Sequence, residues 1–413
     1  MQETEDSGAG LLSHVRVLDL SRIMAGPWAT QILADLGADV IKVERPLSGD
    51  DARAWGPPFL KDVHGNETRE GSYFIAVNRG KRSVTLDLAT PEGQDIVRTL
   101  ALDTDVVIEN FKVGTLARYG LDYAHLSADN PGLVYCSVTG FGQTGPMAPQ
   151  PAYDFLIQAL GGLMSVTGSP DREPQKVGVP IIDMVTGIYA AVGILAALTA
   201  RAKTGKGQYI DVAMLDVQVG LLANQAMNYL LGGQTPVRTG NAHPNIQPQR
   251  VYRCRDGDVV LVVGNDSQFR SLCRVLGHPE WAEDERFLSN GARVRHQDML
   301  QPLLEARFTQ EDRATWVARL TEANVPCGPI NSIPEVFGDP QVQHREMLRH
   351  LPHALADAAR LATLQHFRKA DLSADSKETA RFDPVTVADR LSEERMRAIR
   401  GARRPQDGIL GVE

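Results

Sequence analysis

The sequence is poor in cysteine, and none of its cysteines is placed to clamp a metal. Cys136, Cys254, Cys273 and Cys327 are widely spaced with no C-x-x-C pair, so they read as free thiols of a reducing compartment. Ten histidines include no H-E-x-x-H and none beside a cysteine, which leaves a metal site without support. There is no G-x-S-x-G elbow and no P-loop, so serine-hydrolase and nucleoside-triphosphate chemistry lack their signatures. Basic charge is in deficit: 43 Lys and Arg stand against 51 Asp and Glu, for a net charge of −8. That argues against a general nucleic-acid or anionic-membrane partner. Internal repeats and low-complexity stretches are also missing. Residues 1–10 are acidic and polar, unlike a signal peptide, and the cytoplasm is the expected compartment.

What is present is 413 residues, 43% hydrophobic and 23% charged, an ordinary globular composition in a chain long enough for two domains. Short apolar runs at 15–20, 39–43, 83–88, 105–108 and 133–138 alternate with helical patterns. Pro27 opens one helix that Gly37 ends, and Thr90 caps another with Pro91 at its first position. Asp154 is placed to cap an apolar helix ending at Gly161-Gly162. Strands alternating with helices predict an α/β fold with a doubly wound, mostly parallel sheet. In such sheets the ligand crevice lies at the carboxyl ends of the strands. Polar loops stand at those ends: Ser21 to Gly26, Glu44-Arg45, Glu109-Asn110-Phe111 and Thr139 to Pro146. Glu44 falls near where a ribose-binding acid would sit in a nicotinamide enzyme. The first β-α turn, Ser-Arg-Ile-Met-Ala-Gly-Pro, lacks the G-x-G-x-x-G that lets backbone approach a pyrophosphate, so that reading fails.

From about Leu215 the character changes. An amphipathic helix is expected from Asp216 to Leu231, then a Gly-, Asn- and Pro-rich loop to Gln247. A smaller α/β unit follows, with strands at 250–253 and 259–263 and helices around 266–276, 297–308 and 311–323. The expected organisation is a large Rossmann-like domain over 1–215, a linker helix and loop over 216–247, a small α/β domain over 248–330, and a segment over 331–413 returning to the large domain.

The stretch from Val179 to Met214 organises the chain. Asp183 is its only charged residue before Arg201, and Ile188 to Ala200 is apolar or small on every face. That run is too long for a strand and short of the roughly 18 apolar residues of a membrane span, and it predicts a fully buried helix. Asp183 stands at or near its start, where first-turn N–H groups and the helix dipole favour an ionised carboxylate. From the residues alone two readings stay open: a helix N-cap, or a nucleophile or anion-site residue.

Read in order, Ala25-Gly26-Pro27, Leu36 to Glu44, Asn78 with Lys81-Arg82-Ser83, Glu109-Asn110-Phe111, Tyr153-Asp154, the helix start from Asp183 to Gly187, and Lys203 to Gln208 resemble the class III coenzyme A transferases. That family holds formyl-CoA and carnitine-CoA transferases together with α-methylacyl-CoA racemases. The resemblance covers roughly residues 13–350. Gly49-Asp50-Asp51, Trp55 to Phe59 and Tyr135 to Pro146 look most like the branch that moves CoA between dicarboxylic acids such as succinate and glutarate.

The resemblance implies that Asp183 is the nucleophile and that Ile23, Arg45, Leu86, Asn110, Phe111, Arg118 and Met214 line a CoA channel. Two lysines that hold CoA in the formyl-CoA branch correspond to Ala89 and Pro151, which leaves Arg79, Lys81 and Arg82 as candidate phosphate ligands. Gly240-Asn241-Ala242-His243 takes the place of a glycine loop, with Gly240 a candidate oxyanion donor. Tyr153 is offered as orienting the acyl group, against a core tyrosine at a helix start. Arg22, Met24 and His243 are candidate substrate contacts, Arg22 and His243 for a distal carboxylate. The racemases place a His where Tyr153 stands, and a phenol of ordinary pKa near 10 is a poor base at pH 7.

The implied reaction is CoA transfer from an acyl-CoA, with succinyl-CoA the expected donor, to a carboxylic acid through an aspartyl-CoA thioester. CoA enters as substrate, and no cofactor or metal is required. An interlocked homodimer is implied as well. The alternatives are a racemase-like epimerase and a CoA-binding protein without turnover. The second draws on the tail, where Arg381 to Thr386 replaces the family's closing segment.

Overall fold

The computed structural model describes residues 10–348 apart from residue 63, and the backbone of two short strands, Ala374–Asp375 and Val385–Thr386. The chain forms two compact units. One comprises residues up to Leu163 together with Val177–Asn224, and the other Met164–Lys176 with residues 225–348.

The first unit begins as the alternation predicts, with β1 (Arg16–Asp19), α1 (Ala25–Asp35) and β2 (Asp39–Glu44). A small antiparallel pair, β3 (Phe59–Lys61) and β4 (Glu67–Gly71), and the short α2 (Ser72–Val77) intervene before β5 (Arg82–Thr85). Then come α3 (Pro91–Leu102), β6 (Val106–Glu109), α4 (Tyr123–Asp129) and β7 (Val134–Thr139). Thr90 caps α3 by accepting from Gly93 N. After α5 (Asp154–Leu160) and α6 (Leu163–Val166), the long α7 (Ile181–Thr204) leads into β8 (Gln208–Ala213) and α8 (Met214–Leu221).

Six of these strands form one parallel sheet in the order β5-β2-β1-β6-β7-β8. Side chains alternate across it, as a period of two requires. Val17, Val106, Ile108, Val134 and Cys136 face a core shared with Ala29 and Leu33 of α1 and Ala190 and Ile194 of α7. Leu18, Val107 and Tyr135 face the opposite layer with Val97 of α3 and Leu126 of α4. All carboxyl ends therefore open on one edge, and the loops after β1, β2, β5, β6, β7 and β8 meet there.

Three expectations are corrected. The helix predicted over 216–231 is two: α8 stops at Leu221, and α9 (Ala223–Gly232) starts afresh after Ala223 takes a left-handed φ of 43°. The 24-residue α7 is longer than the apolar run suggested, and its length and composition alone would suit a membrane span. Nor is it fully buried. One face packs on α1 and the sheet, while Ile188, Tyr189 and Val192 are exposed.

The second unit contains β9 (Gln249–Arg253), β10 (Asp258–Val262), α10 (Asp266–Val275), α11 (Asn290–Arg295), α12 (Gln297–Phe308), α13 (Arg313–Glu322) and β11 (Cys327–Pro329). Its sheet is antiparallel in the order β11-β10-β9, over a core of Tyr252, Phe269, Phe308 and Trp316. The helices Ile333–Gly338 and Pro340–His344 also fall in this unit. The expectation for the tail from residue 349 lies outside the described residues.

Candidate active site

Asp183 lies in the first turn of α7 but does not cap it. The N-cap position is Pro180, which has no side chain to offer. The acceptor comes instead from the start of α5: Asp154 Oδ2 takes hydrogen bonds from Ile182 N (2.7 Å) and Asp183 N (3.2 Å). Asp154 Oδ1 is held by Gln158 Nε2 at 2.5 Å, and Gln158 Oε1 accepts from Val177 N at 2.9 Å. Asp154 was expected to cap its own helix; it caps its neighbour.

This reverses the expected electrostatics of Asp183. The first-turn donors are occupied, and no described residue donates a hydrogen bond to the Asp183 carboxylate. Burial, and then the charge of Asp154, push its pKa up to about 7. The helix start aims the carboxylate but does not hold it in the ordinary ionised range. A carboxylate of raised basicity without hydrogen-bond partners is a stronger nucleophile than an ordinary Asp, provided it is ionised when it attacks.

Gly187 is one turn further along the same face of α7. A Cβ there would come within 2.6 Å of Ala25 O and 3.0 Å of Trp28 Cβ, so glycine lets α7 close on the start of α1. Gly26 serves the same packing, because a Cβ on it would meet Ser21 Cβ at 2.3 Å. The loop Ser21 to Met24, at the carboxyl end of β1, is thus brought to the Asp183 face of α7.

That loop is rigidly held. Ile23 has a φ of 72°, a left-handed conformation that costs a β-branched residue about 1–3 kcal/mol. Its N–H donates to both carboxylate oxygens of buried Asp50, at 3.1 Å each. Asp50 pairs with Lys42 Nζ at 2.9 Å, and Lys42 donates to Ser21 O at 2.8 Å. Asn110 clasps Arg22 from the other side, accepting from its N–H (2.8 Å) and donating to its carbonyl (2.7 Å). The Arg22 guanidinium lies over the Phe111 ring, 5.2 Å from its centroid, and bonds Asp51 at 3.1 Å. Arg45 binds the other oxygen of Asp51.

Ile23, Arg45, Leu86, Asn110, Phe111 and Met214 all follow the carboxyl ends of strands and therefore share one edge. Arg118, on the 3₁₀ turn Ala117–Tyr119, is exposed. Tyr153 holds the N-cap position of α5 with its ring largely exposed, so it is not a core tyrosine. Met24 is buried at the N-cap position of α1.

The proposed phosphate ligands are otherwise engaged. Lys81 turns inward, and its three donors are met by Asp19 Oδ2 (3.1 Å), Pro27 O (2.9 Å) and Asn78 Oδ1 (2.9 Å). Arg82 opens β5 and pairs with Asp39, which opens β2. Both stand at the amino ends of the strands, on the edge opposite the crevice. Arg79 pairs with Asp35.

In the second unit, Gly240 N donates to Gly168 O at 3.0 Å, so this N–H is already used and is not a free oxyanion donor. His243 Nδ1 accepts from Asn245 N at 3.0 Å, which leaves Nε2 to carry the proton of the neutral ring.

Sequence reasoning missed the roles of Asp154, Asp50 and Asp51. The one signal was an acidic pair directly after β2, with Arg45 close by.

Comparison with known proteins identifies the family. The family model described as CoA-transferase family III matches residues 12–383. The succinate–glutarate CoA-transferase of Agrobacterium fabrum is 53% identical over 334 residues, covering 81% of this chain and 83% of that one. The succinyl-CoA:glutarate CoA-transferase of Mus musculus is 42% identical over 342 residues, 83% of this chain and 77% of that one. A crystal structure of a CaiB/BaiF family protein from Brucella suis superposes with a TM-score of 0.72 at 53% identity, covering 82% of this chain and 89% of that one. The chain belongs to CoA-transferase family III.

Proposed function

We propose that this enzyme moves CoA from succinyl-CoA to a dicarboxylic acid, with Asp183 as the covalent nucleophile. The observation that carries this reading is the Asp183 carboxylate itself, aimed from the first turn of α7 with no hydrogen-bond partner among the described residues. The named activities of the Agrobacterium and mouse relatives support the substrate class.

An Asp183 oxygen attacks the thioester carbonyl carbon, the C–S bond breaks, and CoA leaves as thiolate from a mixed anhydride. The thiolate then attacks the aspartyl carbonyl carbon, expelling the donor acid as carboxylate and leaving an aspartyl-CoA thioester. The acceptor carboxylate attacks that thioester and regenerates a mixed anhydride and thiolate. Attack of the thiolate on the acceptor acyl carbon releases the new acyl-CoA and the free Asp183 carboxylate. Charge and atoms balance at each step, and no proton need move. Ile23, Arg45, Leu86, Asn110, Phe111, Arg118 and Met214 are proposed to line the CoA path. A racemase needs a second base opposite Asp183, and the residue before Asp154 is an exposed tyrosine.

A homodimer, interlocked as in the family, belongs to the same proposal. Phe155, Leu156 and Leu160 of α5 and Ile188, Tyr189 and Val192 of α7 expose apolar surface of the kind that marks an interface. Light scattering at the mass of one chain would refute it. The unpaired thiols support the reducing cytoplasm as its compartment.

The test is Asp183→Asn. It should abolish transfer while retaining the folded circular-dichroism spectrum, and wild-type enzyme with succinyl-CoA should gain a CoA-sized adduct that hydroxylamine removes. Full activity in the variant would end the proposal.

A further inference from the structure

We infer that Arg22 reads the distal carboxylate of the acyl group and so confines the reaction to dicarboxylic acids. The inference rests on the CoA-transfer reading and adds the residue that sets its substrate class.

Placement is the first argument. Arg22 sits on the loop that leads into α1, whose first residue, Ala25, meets α7 at Gly187, one helical turn from Asp183. A turn advances about 5.4 Å, so the start of α1 stands about that far along α7 from Asp183.

The second argument is unused donor capacity. A guanidinium carries five N–H donors. Among the described residues Arg22 uses one nitrogen, Nη1, on Asp51, while its Nε is buried and unpartnered. Asp51 is shared with Arg45, so two cations divide one carboxylate, and a second carboxylate would complete the set. A planar guanidinium suits this task because it engages a carboxylate through two parallel bonds.

The third is pre-organisation. The Arg22 backbone is fixed by Asn110 and by the Asp50 clamp on Ile23, and its side chain rests on Phe111. Little freedom remains to be lost when the ligand arrives. Other candidates are weaker: Lys81 has every donor filled, and Arg82 and Arg79 are paired away from the crevice.

The experiment is steady-state transfer from saturating succinyl-CoA to glutarate and to its monomethyl ester, with free CoA as inhibitor, in wild type, Arg22→Gln, Arg22→Lys and Asp51→Asn. Arg22→Gln should raise the KM for glutarate by about 10²-fold. The preference for glutarate over the ester should fall by a similar factor, with inhibition by CoA within about twofold of wild type. Arg22→Lys should recover part of the loss. Asp51→Asn removes the competing carboxylate and should lower the glutarate KM. An unchanged glutarate KM in Arg22→Gln overturns the assignment. So does an equal weakening of both acceptors and CoA, which would make Arg22 a loop brace. Wild-type enzyme that forms no glutaryl-CoA would instead defeat the underlying reading, whatever residue 22 does.

Discussion

Two buried sets of carboxylates in the first unit show how differently one side chain behaves when its partners differ. Beneath the loops after β1 and β2, Asp19, Glu44 and Asp50 are each surrounded by donors. Burial works against the charge of Asp19, but Lys81, Lys42, Ser21 and Thr30 outweigh it and hold its carboxyl down at about 2. Glu44 is likewise kept at about 2 despite burial, by Arg53, Ser83 and the Asp50 N–H. Toward β7 and α7 the supply runs out. Burial lifts Asp183 to about 7 with only Asp154 nearby, another negative charge. Burial also lifts Glu109 to about 7, with the Ser137 hydroxyl and Phe111 N–H opposing it and Asp211 adding to it. Burial is common to both sets, and donor supply decides the outcome. The saturated set braces the loop that carries Arg22; the starved set includes the proposed nucleophile.

The largest effect is expected from breaking the saturated set. Lys42→Met leaves Asp50 and Asp19 buried with one cation fewer and frees Ser21 O. Removing one member of a buried pair costs about 3–5 kcal/mol, so the urea midpoint at pH 7 should drop sharply. A midpoint within error of wild type would show that the network does not brace the loop.

A smaller effect tests the starved set. Asp154→Asn keeps an oxygen to cap α7 but removes the charge beside Asp183. With burial still acting, the Asp183 pKa should fall from about 7 toward the ordinary range. On the proposed mechanism this group must be ionised, so kcat/KM should decline as pH drops through that value, and the midpoint of the decline should move to lower pH by about one unit. A purely structural cap would lower activity without moving the midpoint.

The same contrast explains what the sequence could and could not disclose. Short apolar runs placed five of the six parallel strands to within a few residues, missing only β8, and the carboxyl ends gathered Ile23, Arg45, Asn110 and Phe111 as expected. Local chemistry also placed Thr90 as a cap and Asp183 at a helix start. What failed was partnership across long separations. Asp154 caps a helix 28 residues away, and Lys81 meets Asp19 from 62 residues away. Local reading therefore made Asp154 the cap of its own helix and Lys81 a free cation for phosphate. The exposed face of α7 was illegible for another reason: a helix apolar on all sides carries no sign of which side meets the core.

The smallest expected effect isolates burial from reactivity, because Glu109 is starved of cations but is not the proposed nucleophile. Its folded pKa of about 7 lies above the ordinary 4.5, so between these values the folded protein holds a proton that the unfolded chain has lost. Stability contributed by this group is therefore greatest below about pH 4.5 and declines as pH rises to about 7. Glu109→Gln replaces it with a neutral group of nearly the same shape, which can still accept from Phe111 N or Ser137. The variant should match wild type near pH 4.5 and exceed it above pH 7, by at most about 3 kcal/mol. Asp19 and Glu44 have the opposite sign, since their contribution is lost only as pH falls below about 4. A Glu109→Gln advantage that grew toward acid would mean that Glu109 belongs with the saturated set, and that donor supply does not divide the two.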